Sequence, residues 1–273
     1  MKNFLTVDLE DWFQSSLELF CDIEDYYFKI QPTNRVVINT EKLLKIFDEY
    51  NVKATFFVLG TVAETFPALI KEIQKQGHEI ATHGYGHKLV YKQTQEEFKK
   101  DLKKSIDIIE NITKEKVVGY RAPYFSITDK SLWAIEIIKE LGFVYDASIF
   151  PLKRKLYGTN KQINIQGFGE FPTSKISFCG VEFPFAGGGY LRLYPYWLTK
   201  WAMNKLNSQG KPAMVYIHPY EIDSEDTQDY KLSKNLKTKI ILLKQNLFRQ
   251  KTEYKLNCLL RDFSFVTIKE SLK

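Results

Sequence analysis

The segment His83-Gly84-Tyr85-Gly86-His87 places two imidazoles four residues apart. Neutral imidazole is a common ligand of zinc and related metals. Because two glycines separate the histidines, we expect a turn after a strand rather than a helix. Two ordinary surface or core histidines would give the same pattern, and the His-Glu-x-x-His pattern of helix-borne zinc sites is absent from the sequence. The pair is therefore a candidate metal site that still needs a further ligand.

Carboxylates cluster near the N-terminus, in the segment Asp8-Leu9-Glu10-Asp11. Side chains alternate along a strand, so Asp8 and Glu10 are expected on the same side. Two carboxylates beside a metal can divide the work, one as a ligand and the other as a base toward water. An acidic cap on the following turn is the alternative interpretation, and the segment alone does not decide between the two.

Three further segments carry polar groups that could do chemistry: Arg121-Ala122-Pro123-Tyr124, Tyr145-Asp146-Ala147-Ser148 and Tyr216-Ile217-His218-Pro219. An arginine such as Arg121 can orient a carboxylate through a bidentate pair, or form a structural salt bridge. A histidine such as His218 can act as an acid at the mouth of a barrel, or be a satisfied core residue. Each signal is weak alone, but each segment follows a predicted strand.

The elements that must position these groups alternate between strand and helix. Strands are predicted at Phe4–Leu9, Val52–Leu59, Glu79–Thr82, Val117–Arg121, Phe143–Asp146, Ala213–Ile217 and Phe263–Ile268. Helices are predicted at Thr40–Tyr50, Glu64–Gln76, Gln95–Ile112, Asp129–Leu141, Tyr196–Ser208 and Thr238–Leu260. This order predicts an α/β fold with parallel strands, as a barrel or a doubly wound sheet. In a barrel all the polar segments would share one face.

The second half of the pattern is less regular. Residues 151–195 are rich in Gly, Pro and Phe, and we interpret them as an irregular β insertion within a single domain, 1–273. Polar stretches at Asp22–Asn34 and Glu221–Asn235 are predicted loops. The Lys-rich C-terminal helix is predicted to dock on the barrel through Ile240, Ile241, Leu243 and Leu247, and a face for a membrane surface or a partner is the alternative.

Composition excludes several classes of protein. The chain has 273 residues, of which 44% are hydrophobic and 26% charged, which excludes a disordered chain and a small disulfide scaffold. A net charge of +6 does not require a nucleic-acid partner. The three cysteines have no Cys-x-x-Cys spacing and fit a reducing compartment. Asp8 interrupts any N-terminal signal core, and no apolar run approaches the roughly 18 residues of a membrane span, so we expect a cytoplasmic location.

The order of these motifs, from about Phe4 to His218, resembles the polysaccharide deacetylases of the NodB-homology group, a family of metal-dependent carbohydrate esterases. The segments Ala54–Gly60 and Gly77–His83 are similar to that family as well. The segment Gly187–Arg192 is similar to a subgroup found with bacterial exopolysaccharide synthesis. The resemblance implies a distorted parallel (β/α) barrel, a divalent metal, usually zinc, and hydrolysis of an N-acetyl group on a sugar by metal-activated water.

The resemblance also implies roles for individual residues. They are Asp8 as general base, Arg121 as the residue that orients it, His218 as general acid, Asp146 as the residue that tunes His218, His83 and His87 as metal ligands with Glu10 or Asp11 as the third, and Pro123 and Tyr124 at the substrate. The backbone N–H of Tyr124 would face the developing oxyanion. Strand alternation favours Glu10 over Asp11 as the third ligand.

This chain departs from the usual family pattern at three places, the first of which is Asp8-Leu9-Glu10-Asp11 in place of the usual adjacent Asp-Asp. Gly84 stands where a Ser or Thr that braces the loop is common, and no Trp follows Asp146 to form part of the pocket wall. The implied partner is an N-acetylated sugar or oligosaccharide, or a lipid- or nucleotide-linked glycan precursor. Two alternatives stay open, namely hydrolysis of a small non-sugar amide and a non-catalytic barrel that binds glycan.

Overall fold

A parallel β-sheet forms the centre of the fold, seen here in a computed structural model that describes residues 1–14, 32–154, 157–161, 166–223 and 236–272. The strands are β1 Lys2–Leu9, β2 Thr55–Val58, β3 Glu79–Thr82, β4 Gly119–Tyr120, β5 Tyr145–Asp146, β6 Gly169–Glu170, β7 Lys175–Phe178, β8 Val181–Pro184, β9 Met214–Ile217 and β10 Ser264–Val266. The main sheet has the order β10-β1-β2-β3-β4-β5-β6, and β9 also pairs with β1. All its pairings are parallel.

Helices connect the strands of this sheet. They are α1 Asn34–Glu49, α2 Gly60–Thr65, α3 Pro67–Lys75, α4 Gln95–Thr113, α5 Trp133–Glu140, α6 Gly188–Leu193, α7 Tyr196–Ser208, α8 Leu236–Asn246, α9 Thr252–Asp262 and α10 Ile268–Ser271. The predicted distorted parallel (β/α) barrel is thus confirmed, in an open form. The irregular insertion contains the antiparallel hairpin β7–β8, which lies outside the main sheet.

Strand β1 is the central element of the sheet. Its residues from Asn3 onward are buried, and it pairs with β2 on the Thr6–Leu9 stretch and with β9 on the Phe4–Val7 stretch. Such a strand, covered on both faces, is a near-continuous apolar run in sequence. Its one acidic member, Asp8, comes next to the carboxyl end. The strand therefore delivers a carboxylate to the face where the other parallel strands end.

Helix α4 has a well-defined start. The Thr94 hydroxyl accepts from the backbone N–H of Glu97 at 3.2 Å, and the Glu97 carboxylate accepts from the Thr94 backbone N–H at 2.8 Å. This reciprocal capping box satisfies two amide groups that a helix N-terminus would otherwise leave unpaired. Its apolar face, including Phe98 and Leu102, is buried against the sheet. Helix α4 is thereby fixed beside the segment that contains His83 and His87.

Two predicted helices are interrupted in the structure. The predicted Glu64–Gln76 helix is split into α2 and α3 at Phe66, because the ring of Pro67 disfavours the helical conformation of the preceding residue. The predicted Thr238–Leu260 helix is split into α8 and α9 near Phe248, which adopts a left-handed conformation with φ of 61°.

The predicted docking of the C-terminal helix through Ile240, Leu243 and Leu247 is wrong, because these residues are 43%, 45% and 46% exposed. The side chain of Ile241 lies outside the described residues. Most of the two predicted polar loops falls outside the described residues. Within the described part of the chain, no helix is long and apolar enough to cross a membrane.

Replacing Gly119 with alanine tests the packing between β4 and β5. A Cβ atom at Gly119 would lie 2.0 Å from the ring of Tyr145, so Gly119→Ala should lower the free energy of unfolding by about 1–3 kcal/mol. Urea denaturation measures the change. Gly189→Ala is the control, because a Cβ there would meet its nearest heavy atom, on Arg192, at 3.7 Å. Equal midpoints for the two variants would contradict the prediction.

Candidate metal centre and active site

One carboxylate and two imidazoles converge at the carboxyl ends of β1 and β3. Potential ligand atoms of Glu10, His83 and His87 all lie within 4.8 Å of one another, and all three residues are buried. The Glu10 Oε2 atom is 2.5 Å from His87 Nε2 and 3.9 Å from His83 Nε2. The structure therefore brings together both histidines of the His-Gly-Tyr-Gly-His segment and one acid from the N-terminal cluster.

The tautomer of His83 follows from its hydrogen bond. Its Nδ1 atom lies 2.8 Å from the backbone oxygen of Arg121, and a carbonyl oxygen can only accept, so Nδ1 carries the proton. The Nε2 atom then keeps its lone pair and faces Glu10. Burial and the neighbouring His87 lower the pKa of His83 to about 3, which keeps the ring neutral. A neutral imidazole held in this way is in the form that binds metals.

The charge state of Glu10 complements these imidazoles. Burial raises the pKa of Glu10, but the neighbouring His87 and the other two histidines lower it by more, so the net shift is downward and the carboxylate is ionised. Among the described residues, the buried Oε2 atom of Glu10 accepts no hydrogen bond of good geometry, although His87 Nε2 lies 2.5 Å from it. A buried carboxylate oxygen between two imidazole nitrogens suits a bound cation, and this donor set fits zinc with positions left open for other ligands.

The loop between the two histidines is braced by helix α4. The Asp101 carboxylate accepts from the backbone N–H of Tyr85 at 2.7 Å, and the Ser105 hydroxyl donates to the backbone oxygen of Gly84 at 3.1 Å. Gly84 has a φ of 77° and His87 a φ of 56°, so the loop turns through left-handed conformations. The bracing that a Ser or Thr at position 84 would provide is thus supplied from a neighbouring helix.

Arg121 and Asp8 form a buried ion pair. Arg121 Nη1 lies 2.6 Å from Asp8 Oδ1 and donates to the Thr6 hydroxyl at 2.8 Å. The Arg121 guanidinium also packs 4.1 Å from the centre of the Phe57 ring. With a side chain that is fully buried, Arg121 cannot reorient without leaving a charge unpaired. The arrangement fixes one oxygen of Asp8 and leaves the other, Oδ2, 3.8 Å from His218 Nε2.

His218 follows β9 and faces the same acids from the other side. Its Nε2 atom is 3.4 Å from Glu10 Oε1, and its Nδ1 atom is 2.9 Å from Glu221 Oε2. Burial lowers the pKa of His218, but the carboxylates of Glu221, Glu10 and Asp8 together, with Glu221 foremost, raise it by more, to about 9. Burial likewise raises the pKa of Glu221, and His218 together with Arg192 brings it down to about 2. His218 is thereby held as an imidazolium next to an ionised carboxylate.

A cavity of about 180 Å³ opens over this cluster. Its polar lining includes Asp8, Glu10 and His218. Aromatic rings form much of its wall, and they belong to Tyr124, Phe125, Phe150, Tyr157, Tyr216 and Tyr220. Gly188 and Gly189 of α6 complete one side.

The structure separates Asp11 and Asp146 from the roles that the sequence suggested. The Asp11 carboxylate accepts from the backbone N–H and the hydroxyl of Thr33, both at 2.6 Å, so it caps a turn and lies outside the cluster around Glu10. The Asp146 carboxylate accepts from the Ser148 backbone N–H at 2.9 Å and from its hydroxyl at 2.5 Å. The prediction that Asp146 tunes His218 is wrong, because Glu221 occupies that position.

The two residues expected at the substrate have different environments. Tyr124 lines the cavity, and its ring contacts the His87 imidazole at 4.8 Å between centroids. Its φ of 54° places it in the left-handed region. Pro123 is buried at the start of the same short turn, Pro123–Phe125. The oxyanion contact expected from the Tyr124 backbone N–H stays a prediction.

Sequence comparison identifies the family behind this arrangement. Residues 30–145 match the family model described as polysaccharide deacetylase. The chain contains a polysaccharide deacetylase domain. Residues 147–273 match a model described as a domain of unknown function (DUF3473). The resemblance to the deacetylases is confirmed, whereas the similarity to the exopolysaccharide subgroup stays a prediction.

Curated relatives of the deacetylase domain match over part of their length. A peptidoglycan-N-acetylglucosamine deacetylase of Bacillus cereus is 37% identical over 98 residues, which are 36% of this chain and 36% of that protein. A peptidoglycan deacetylase of Helicobacter pylori is 33% identical over 112 residues, which are 41% of this chain and 37% of that protein. The chain therefore matches less than two-fifths of the length of either relative.

Solved structures confirm the deacetylase fold over nearly the whole chain. A Mycobacterium smegmatis protein named for this family superposes with a TM-score of 0.60 at 20% identity, covering 99% of this chain and 89% of its own. Puue allantoinase superposes with a TM-score of 0.58 at 14% identity, covering 98% of this chain and 87% of its own. At these identities the likeness concerns the fold alone.

Sequence reasoning missed Glu221 and Arg192. Glu221 fell in a predicted polar loop, but it lies three residues after His218 in a His-Pro-x-Glu pattern, the spacing at which a carboxylate folds back on the start of a helical turn. Its carboxylate accepts from the backbone N–H of His218 at 3.0 Å. Arg192 gave no signal of its own, because its role depends on a contact between distant segments.

Removing the Glu10 carboxylate tests the metal centre. Glu10→Gln should weaken binding of Zn²⁺ or Co²⁺ by about 100-fold or more, because outer-shell changes alone cost 10- to 100-fold. Isothermal titration calorimetry with Zn²⁺ and the visible absorption of Co²⁺ both report the change. Asp11→Asn is the matched control and should retain the metal. If Asp11→Asn loses metal and Glu10→Gln does not, the third ligand is Asp11.

Proposed function

We propose that this chain is a metal-dependent N-deacetylase that removes acetyl from an amino sugar of a polysaccharide or of a polysaccharide precursor. The observation that carries the proposal is the meeting, in one cavity, of three groups with different chemistry. These are the Glu10–His83–His87 set, the carboxylate of Asp8 and the imidazole of His218. Hydrolysis of an amide needs a Lewis acid, a base for water and an acid for the amine.

Glu10, His83 and His87 would hold the metal, which we take to be zinc. When bound, a divalent ion at these residues supplies Lewis acidity that polarises a carbonyl and acidifies water. The buried, neutral imidazole of His83, the adjacent imidazole of His87 and the ionised Glu10 are suited to that task without rearrangement.

Asp8 is the general base of the proposed reaction. Arg121 holds its Oδ1 atom, so the remaining oxygen lines the cavity at a fixed position. From there Asp8 takes a proton from the attacking water. Because the buried ion pair limits the motion of the base, less conformational entropy is lost when the base reaches a reactive geometry.

His218 is the general acid of the proposed reaction. An amide nitrogen is a poor leaving group until it is protonated, so the step needs a donor on the side of the amine. The raised pKa keeps His218 protonated near neutral pH, and its Nε2 atom faces the cavity while Nδ1 is held by Glu221. We assign stabilisation of the carbonyl oxygen to the backbone N–H of Tyr124, in addition to the metal.

The aromatic wall supports a sugar as substrate. The C–H faces of a pyranose ring are apolar and pack on aromatic rings, while its hydroxyl groups need polar partners. Phe150, Tyr157 and Tyr220 offer such surfaces beside the reactive groups. The two curated relatives described above are named as deacetylases of peptidoglycan, an N-acetylated glycan. We propose that the whole chain, 1–273, acts as one catalytic domain, since β9 and β10 join the same sheet as β1.

Replacing Asp8 with asparagine tests the proposed base. Asp8→Asn should lower kcat for acetate release from N-acetylglucosamine oligomers by about 10²- to 10⁴-fold, because asparagine cannot accept the proton of water. Binding of Zn²⁺ should persist, since Asp8 lies outside the ligand set. The assay follows acetate and free amine with the zinc-loaded protein, with Asp48→Asn on the exposed face of α1 as the control.

The outcomes of this assay separate the proposal from its alternatives. Zinc-loaded protein that releases no acetate from any N-acetyl sugar would contradict the deacetylase. A binding-only barrel would retain glycan and be indifferent to Asp8→Asn. Preference for a small non-sugar amide in the same assay would keep the site and change the substrate.

A further inference from the structure

The part of the chain that matches the domain of unknown function contributes about half of the cavity lining. Its residues include His218, Tyr220 and the two glycines of α6, Gly188 and Gly189. The deacetylase model ends at residue 145, before any of these. The proposed base, the residue that orients it and the metal ligands all precede that boundary. The acid therefore comes from the other part of the chain.

One carboxylate oxygen of Glu221 contacts two groups of His218. One oxygen, Oε2, lies 2.9 Å from His218 Nδ1 and accepts from the His218 backbone N–H at 3.0 Å. The ring of Tyr220 stacks on the imidazole, with 5.1 Å between centroids and an angle of 24° between planes. The imidazole is thus fixed by a hydrogen bond at one edge and by a ring on one face. Its Nε2 atom is directed at Asp8 and Glu10.

Arg192 fixes the other oxygen of Glu221. Its Nε atom donates to Glu221 Oε1 at 2.8 Å, and both side chains are buried. The Arg192 Nη1 atom also donates to two backbone oxygens, that of Gln245 in the last turn of helix α8 and that of Leu247 just after this helix. The chain around Arg192 is itself held, because Lys255 of α9 donates to its backbone oxygen at 2.6 Å. Helices α6, α8 and α9 therefore converge on one carboxylate.

No other carboxylate of the described residues takes this place at Nδ1 of His218. Asp146, which the sequence suggested, is engaged with Ser148. Asp8 and Glu10 face the opposite edge of the ring, at Nε2. Glu221 is therefore the carboxylate that holds the Nδ1 edge of the ring and leaves Nε2 facing the cavity.

We infer that the region matching the domain of unknown function builds the general-acid unit of the deacetylase, in which Glu221 is the positioning residue for His218 and Arg192 holds Glu221 in place. The inference rests on the proposed deacetylase function. In the step concerned, the carbonyl double bond of the acetyl group re-forms from an electron pair on its oxygen, and the C–N bond of the tetrahedral intermediate breaks with its electron pair staying on nitrogen. That nitrogen takes the proton from His218 Nε2, and Nδ1 keeps its own proton, which is shared with Glu221.

The variant Glu221→Gln isolates this role. Glutamine has one accepting atom, so it can accept from His218 only by turning its amide N–H toward the Arg192 N–H groups. One of the two contacts is lost while the side-chain volume is kept. Zinc content and the melting temperature report whether the fold and the metal centre persist.

The leaving group distinguishes loss of the acid from general damage. With zinc-loaded protein and N-acetylglucosamine oligomers, Glu221→Gln should lower kcat by about 10- to 100-fold with little change in KM. The phenolate of 4-nitrophenyl acetate leaves without protonation. With this ester, the fold-loss in kcat caused by Glu221→Gln should therefore be smaller than the fold-loss on the oligomers, by a factor of about ten or more. The rate of Asp8→Asn is subtracted as the background for the ester. Equal losses on both substrates would overturn the inference.

A double-mutant cycle tests, without the ester, whether Glu221 acts through His218. If Glu221 acts through His218, adding Glu221→Gln to His218→Ala should cause no further loss on the oligomers, whereas additive losses would overturn the inference. Asp146→Asn is the matched comparison, and a leaving-group-dependent loss there but not in Glu221→Gln would also overturn it.

A measurement that needs no turnover separates this inference from the proposed function. Long-range ¹H–¹⁵N NMR of the imidazoles, at a pH high enough to make the ring neutral, should show His218 with its remaining proton on Nδ1 in the wild type and a mixture of the two tautomers in Glu221→Gln. An identical pattern in both proteins would overturn the positioning role. A wild type that shows the expected pattern but hydrolyses neither substrate would instead contradict the deacetylase itself.

Discussion

The site depends on the buried ion pair between the guanidinium of Arg121 and the carboxylate of Asp8. A guanidinium removed from water is costly unless its donors are paired, and here they reach strand β1 and the segment that follows β5. Arg121 donates to Asp8 and Thr6 of β1 and to the backbone oxygen of Ala147 after β5. Its own backbone oxygen sets the tautomer of His83. One residue thus fixes the proposed base directly and one imidazole of the candidate metal centre indirectly.

This dependence explains why the site lies at the carboxyl ends of the strands. Parallel strands bring their ends to one face, and each end supplies one group in a fixed direction. Glu10 follows β1, His83 follows β3, Arg121 follows β4 and His218 follows β9. The distances between the groups are therefore set by strand spacing and by packing beneath the site, and only the His83–His87 segment needs a loop of special conformation.

Much of the fold and of this constellation could be predicted from sequence, because strand ends are marked by apolar runs that stop at polar residues. Alternation along β1 correctly favoured Glu10 over Asp11 as the acid near the imidazoles. The partner of His218 could not be found in this way. Glu221 acts through a turn of three residues and Arg192 through a contact with residues 29 positions away, and neither has a periodic signature. The break at Phe248 was missed for a similar reason, since a left-handed residue other than glycine leaves no mark in an apolar pattern.

The bracing of the His83–His87 loop by α4 couples two events that look unrelated. Asp101 and Ser105 lie about one turn apart on that helix, and both contact the backbone of the loop. If a cation binds more tightly to the loop conformation seen here, thermodynamic linkage requires that it also stabilises the contacts between the loop and helix α4. The coupling free energy is the same in both directions. A change on the far side of α4, even one remote from any ligand atom, would then be transmitted as a change in cation affinity, and loading with the ion would slow hydrogen exchange along the helix.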